Sequence, residues 1–397
     1  MSHGSNTAES VVPGCPTDRA AVARLLIECS RPHIDSAASV RAFARIADWS
    51  AVESAAREHG LRPALYSAAL SLPRGSVPPA VMRRWTAENR RLTASHLPAV
   101  ASLGKLAACL SRAGIPVFAL KGPALAARIH GSPLGAEYGD LDLLVSPEWA
   151  AQARAELERN RCVCHDHLPA DLEQIQIRSI HKDRTLFDSE HLVVVELHWA
   201  VGETYLPGAE RFEHLWSRRA VADVNGSPVA VLGPTDEWLY LCLHGARHGW
   251  GRLKMLQQAG GVWHRLGDAE RVASLSRART LGLRRMMLTA AALLRDVYGV
   301  DLPEPIARAV ADDPAVRELA ELSHGYLWVG GRPEGSSREE RRYQYRSLDR
   351  ALDRLRFLMR WVFTPTTQDA LSNHRLPYHL YYLIRPLRLA AKWVLRG

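Results

Sequence analysis

The chain's 397 residues are 47% hydrophobic and 23% charged, a balance that excludes a disordered or fibrous protein and leaves room for two or three domains. No apolar run approaches the ~20 residues of a membrane span, Met1–Val12 lacks a signal peptide's apolar stretch, and the scattered cysteines form no disulfide framework, so a reducing cytoplasm is the expected compartment. The formal charge of +9 is concentrated near the C-terminus, where residues 331–397 hold 14 Arg and Lys against 6 Asp and Glu. Such a tail suits an anionic partner (nucleic acid, membrane or acidic peptide) and also fits a solvated helical surface.

Residues 1–95 read as an N-terminal helical region. Leu25 and Leu26, Ser36–Trp49 and Leu61–Leu72 carry apolar positions three and four apart, and Pro73, Pro78 and Pro79 interrupt the pattern before a helix over Ala80–Thr93. Residues 96–225 read as a small mixed sheet with helices on one side. Leu97, Val100, Leu103, Leu106 and Leu110 form a helical stripe ended by Gly114. Ile115–Leu120 is a short apolar strand, Lys121-Gly122-Pro123 a tight turn, and Ala124–His130 a helix. Asp140–Val145 is a strand, and Ser146-Pro147 opens a helix that runs to about Arg159. Further strands are predicted at Cys162–His167, Ile175–Ile180, Thr185–Phe187 and His191–Ala200. Residues 226–330 return to helix, with Thr235 as N-cap ahead of Trp238–Trp250, then Met255–Leu266, Asp268–Arg277 and Leu283–Tyr298. Gly330–Ser337 is the linker candidate before a basic helical tail over residues 331–397, with helices at Ser337–Phe363 and Leu376–Leu395, the second interrupted by Pro386.

The chemistry gathers on two strands. In Gly139-Asp140-Leu141-Asp142-Leu143-Leu144-Val145, the two aspartates share a face, roughly 7 Å apart along the backbone. Leu141, Leu143 and Val145 turn the other way, into a core. Two carboxylates crowded onto an apolar strand repel each other and lose hydration, and a divalent cation is the simplest remedy. Glu196, in Val193-Val194-Val195-Glu196-Leu197-His198-Trp199, shares a face with His198, opposite Val195 and Leu197. A third acid from a neighbouring strand suits two-metal phosphate chemistry, in which three carboxylates hold two Mg²⁺ about 4 Å apart. The plainer readings of these residues are strand-end charges for the aspartates, a salt bridge for Glu196 and a surface position for Lys121.

The ordered set of a Lys-Gly turn, an Asp-x-Asp strand and a later Glu resembles the polymerase-β-type nucleotidyltransferase superfamily. More narrowly it is similar to a bacterial family of uncharacterised nucleotidyltransferases, over roughly residues 95–300. The anchors are Leu120–Leu125, Gly139–Val145, Glu196-Leu197-His198-Trp199 and Leu243-His244-Gly245-Ala246-Arg247-His248-Gly249-Trp250. The resemblance implies an α+β fold: a polymerase-β-type nucleotidyltransferase mixed sheet with helices, flanked by N-terminal and C-terminal helical regions. It implies Asp140, Asp142 and Glu196 as catalytic metal ligands. Gly122 would let the backbone approach the nucleotide phosphates, and Lys121 would neutralise them. His244, Arg247 and His248 would contact the nucleotide or the acceptor. The implied reaction is Mg²⁺-dependent transfer of a nucleoside monophosphate from an NTP to an acceptor (small molecule, peptide or glycan), releasing pyrophosphate. Two positions depart from the family pattern: Ala136 where an Arg often precedes the first Asp by four, and Gln257-Gln258 where an Asp tends to follow the histidine helix. These departures motivate the alternative of a non-catalytic binding or scaffold protein on a degenerate fold.

His244 and His248 at i, i+4 present both rings to one side, a spacing that also serves zinc or plain packing. Cys162-Val163-Cys164-His165-Asp166-His167 suggests a metal knot, but on a strand its donors point to opposite faces, which favours core cysteines beside solvent-facing histidines. The tail mixes Arg with Leu and aromatic residues, the make-up of an interfacial helix or of one docked on the protein's own core.

Overall fold

A computed structural model of the chain describes residues 17–32, 35–164, 182–202, 206–208, 210–328, 338–364 and 381–394. The N-terminal helices are α1 (Thr17–Ser30), α2 (Ser36–Phe43), α3 (Trp49–His59) and α4 (Arg62–Leu70). The stretch Ser36–Trp49, expected as one helix, is divided. Asp35 and Asp48 each accept backbone N–H groups at a helix start, so the second aspartate opens a new helix instead of continuing the first. Helix α5 (Pro79–Arg112) joins two segments expected to be separate, and Pro98 lies inside it. One face of α5 explains its continuity: Val81 and Trp85 pack in one core, and Leu103, Leu106 and Leu110 in another. Burial at both ends outweighs the local cost of one proline.

The sheet holds β1 (Phe118–Ala119), β2 (Asp140–Leu144), β3 (Cys162–Val163), β4 (Asp183–Asp188) and β5 (Val193–His198), in spatial order β1-β2-β5-β4-β3. Strands β2 and β5 are parallel, and the other neighbours are antiparallel. Helices α6 (Gly122–His130) and α7 (Ala150–Arg159) belong to the same unit; a 3-10 turn at Pro147–Trp149 delays α7 beyond its expected start. Leu141, Leu143, Val145, Val195 and Leu197 are buried with α5 and α7 in one core. The opposite face offers Phe118, Leu120 and Leu144 to a second core built with the helical region. A one-residue slip would exchange the leucines for aspartates in the first core, so burial pins the register. Cys162 and Cys164 are buried in that first core. The expected strand Ile175–Ile180, the rest of the Cys162–His167 motif and the Gly330–Ser337 linker lie outside the described residues.

After α8 (Phe212–Ser217), β6 (Ala220–Val224) and β7 (Ser227–Val231) form a hairpin across Asn225-Gly226, both at positive φ. The helical region follows with α9 (Pro234–Arg247), α10 (Leu253–Arg265), α11 (Asp268–Leu281), α12 (Arg284–Tyr298), α13 (Glu304–Ala311) and α14 (Pro314–Trp328). Gly233, not Thr235, occupies the N-cap of α9, because Pro234 suits the first turn, where no N–H is needed. Past α9, Gly249 and Trp250 adopt positive φ, and the fully buried Trp250 ring lies against Gly245 so closely that a methyl there would overlap it.

The tail forms α15 (Arg338–Ser347), α16 (Ala351–Phe363) and α17 (Tyr381–Val394). The helix expected over Ser337–Phe363 breaks at Leu348, which enters the core, and leaves Leu352, Leu355, Leu358 and Met359 of the same stripe exposed. Helix α17 continues through Pro386, where an interruption was expected.

His59 couples α3 to α10: its Nδ1 accepts the Leu253 N–H at 3.3 Å, and its ring lies 5.6 Å from that of Trp328. Burial, with the Arg252 charge, lowers its pKa to about 4. The folded value lies below the unfolded ~6.5, so as pH falls the unfolded chain takes up this proton first. Its contribution is intact above pH 6.5 and drains between 6.5 and 4, a loss of roughly 3 kcal/mol. Urea midpoints of His59→Gln should show a shallower decline over that range than wild type; parallel declines would reject the assignment.

Candidate active site

The parallel pairing of β2 and β5 places Asp140 beside Val194, Asp142 beside Glu196, and Leu144 beside His198. Because side chains alternate along a strand, Asp140, Asp142, Glu196 and His198 all face the helical region. Asp142 and His198 are buried, and Glu196 is partly exposed. Lys121 arrives from the other side, at the turn between β1 and α6. Gly122 makes this turn with φ +63, and a Cβ there would stand 3.4 Å from the Asp140 carbonyl oxygen. The turn is also tied to β2 by the Leu120 N–H donating to the Asp142 carbonyl at 3.0 Å.

Asp142 is the hub. Its Oδ1 lies 2.9 Å from His198 Nε2, and its Oδ2 lies 3.1 Å from Lys121 Nζ. The Lys121 contact is an ion pair without hydrogen-bond alignment, so Oδ2 is buried and receives no hydrogen bond. His198 Nε2 also stands 3.3 Å from Glu196 Oε2. Burial alone would raise the Asp142 carboxyl, but the His198 hydrogen bond and the Lys121 charge outweigh it and hold the group well below the usual carboxylate range. Asp140 goes the other way: burial, Asp142 and Glu196 push it up against the pull of Lys121 and Lys254. The His198 hydrogen bond lowers Glu196 despite its burial. Lys121 is raised in spite of burial by Tyr240, Asp142 and Asp140, so it stays charged.

Asp142, Glu196, Lys121, His244 and Arg247 line one cleft together with Lys182, His198, Tyr240 and Leu243. The cleft holds about 380 Å³ of empty space, counting its open mouth. Gly122, Asp140 and His248 flank the cleft without lining it; the His248 ring lies 4.8 Å from that of His244, edge to face. Burial, with Lys121 and His248 nearby, holds His244 well below its ordinary value, so it is a neutral imidazole. Gln257 and Gln258 are buried within α10. Lys254, one turn earlier on α10, brings a cation whose charge reaches Asp140 and Lys121.

Among the described residues, Asp142, Glu196 and His198 form a group able to hold a metal ion, with one donor atom from each lying within 4.8 Å of the others. The oxygen–oxygen–nitrogen donor set fits a divalent cation. Asp140, expected from the sequence as a further ligand, is not in this group, where His198 stands instead; it feels the group only through the charges of Asp142 and Glu196.

Comparison with known proteins accords with this geometry. The family model of the uncharacterised nucleotidyltransferases matches residues 46–299, and the chain belongs to that family. It is therefore a transferase with a mixed α+β fold and flanking helices. The antibiotic-resistance factor ANT(2'')-Ia, a solved structure, is similar over 51% of this chain and 98% of its own, with 14% identity and a TM-score of 0.35. The curated proteins contain no match. No helix among the described residues is long and apolar enough to cross a membrane.

Sequence reasoning did not single out Lys182, Asp183 or Tyr240. Asp183 pairs with His198 across β4 and β5, a register invisible without the sheet. Tyr240 precedes His244 by one helical turn, so the spacing that flagged the histidines could have found it.

Lys121 and Asp142 are a buried pair, with side chains 17% and 2% exposed. Removing one partner of such a pair leaves the other charge uncompensated. Lys121→Met should therefore cost roughly 3 kcal/mol in urea denaturation, and Lys121→Met with Asp142→Asn should recover much of it. Additive losses in the double variant would deny the coupling.

Proposed function

We propose that the cleft transfers a nucleoside monophosphate from an NTP to an acceptor hydroxyl or phosphate. The acceptor oxygen bonds to the α-phosphorus, the bond from that phosphorus to the α,β-bridging oxygen breaks, and pyrophosphate leaves. The observation that carries this reading is the in-register pairing of Asp142 with Glu196 beside Lys121 in one cleft. Lys121 and Arg247 bind the triphosphate, and Lys121, held charged by its acidic neighbours, offsets the negative charge that builds on the leaving group. Gly122, at positive φ, lets the turn lie close against the β2 backbone at Asp140 and so sets Lys121 at the cleft. Tyr240, His244 and His248 lie on the α9 side, where the base or the acceptor would rest.

Asp140, Asp142 and Glu196 hold divalent cations, for which Mg²⁺ suits the carboxylate oxygens. When bound, such cations polarise the α-phosphate and activate the attacking oxygen. The acceptor's proton passes to the carboxylate cluster.

Water can stand in for the acceptor, so the test does not depend on naming one. With Mg²⁺ and each NTP in turn, the wild-type chain should release NMP and pyrophosphate slowly, and Asp142→Asn should be slower by at least about 100-fold. Calorimetry with a non-hydrolysable NTP should show binding by wild type. Equal pyrophosphate release by both proteins, or no nucleotide binding by wild type, would contradict the reading.

A further inference from the structure

We propose that His198 Nε2 is a direct ligand of the cation held by Asp142 and Glu196, and that this nitrogen makes the site select a first-row transition ion over Mg²⁺. The inference rests on the proposed transfer function only in needing a cation at this position.

The geometry of the ring carries it. His198 is buried on β5 and points Nε2 between two carboxylates, 2.9 Å from Asp142 Oδ1 and 3.3 Å from Glu196 Oε2. Its other nitrogen faces a third acid: Nδ1 stands 3.5 Å from Asp183 Oδ2, and the strand register sets Asp183 directly across from His198. Lys182 Nζ is also 3.5 Å from Nδ1, but an ammonium can only donate, and Lys182 has an acceptor in Asp183, with which it forms an ion pair. Without a cation, Nε2–H donates to Asp142. A cation that takes the place of that proton leaves the Nε2 lone pair as its ligand, with Asp183 behind the ring to receive the proton on Nδ1. A carboxylate behind a histidine whose far nitrogen faces a cluster of donors is how metal-binding imidazoles are oriented and made more basic.

One donor atom from each of Asp142, Glu196 and His198 lies within 4.8 Å of the others, a spacing at which a single cation can replace the Nε2 proton and meet all three. Oxygen donors alone suit Mg²⁺, which keeps most of its water and gains little from nitrogen. Imidazole favours first-row transition ions, whose affinities for such sites exceed that of Mg²⁺. The plain alternative is that Nε2 carries the proton and only positions Asp142 through a hydrogen bond.

Mn²⁺ added to the full chain without nucleotide distinguishes the two. Electron paramagnetic resonance gives its affinity, and electron spin echo modulation detects a nitrogen bound directly to it. Wild type should show one coordinated nitrogen and bind Mn²⁺ at least about 100-fold more tightly than Mg²⁺. His198→Gln should lose the nitrogen signal and narrow the Mn²⁺ over Mg²⁺ ratio about tenfold. Asp183→Asn should keep the nitrogen signal while weakening Mn²⁺ about tenfold. The wild-type spectrum needs no variant, so a misfolded His198→Gln would not spoil the test. Mn²⁺ bound without nitrogen coupling would overturn the inference and leave the proposed transfer intact. No binding of Mn²⁺ or Mg²⁺, with or without NTP, would overturn both.

Discussion

Parallel pairing between β2 and β5 is the constraint on which the candidate site depends. It is set by apolar side chains that take no part in the chemistry: Leu141, Leu143, Val195 and Leu197, packed against α5 and α7. Their burial, worth about 1.5–3 kcal/mol per side chain, holds the register. That register delivers Asp142 beside Glu196, and His198 one step further along the same face. Side chains confined to the opposite face by the pleat have nowhere else to go. The core thus holds like charges together that would separate in water.

The electrostatics follow from that confinement. Asp142 keeps its charge through His198 and Lys121, and Asp140 is pushed toward protonation by burial and by the charges of Asp142 and Glu196. Lys121 pairs with Asp142 in this cluster of three carboxylates, and the charges of Lys254 and Lys182 reach Asp140 and Glu196. A cation would complete it, and the phosphates of a nucleotide would find Lys121 and Arg247 on the cleft's lining. The facing wall comes from α9, which brings Tyr240, Leu243, His244 and Arg247 to the cleft. The helical region therefore supplies one wall of the cleft, and the sheet supplies the acids.

Much of this was legible in the residues because it rests on short-range periodicity. The alternation of Asp140 and Asp142 with leucines, and of Glu196 with valines, needs no knowledge of the fold to assign a face. The Lys121-Gly122 turn announces itself by composition, and the i, i+4 histidines mark one side of α9. What stayed hidden depends on pairing between distant segments. Asp183 and Lys182 reach His198 only through the β4–β5 register. Helix α5 runs through Pro98 because two cores grip it, whereas proline alone reads as a stop. The β6–β7 hairpin carried a readable signal in Asn225-Gly226 that went unused. In the tail, Leu348, Leu352, Leu355, Leu358 and Met359 suggested one apolar stripe, yet the core takes Leu348 and Phe357 and leaves the other four exposed.

The most direct test is anomalous diffraction from crystals grown with Mn²⁺ and a non-hydrolysable NTP. The account predicts a manganese peak between the Asp142 and Glu196 carboxylates, with the triphosphate running toward Lys121. A peak elsewhere, or a nucleotide seated away from this cleft, would contradict it.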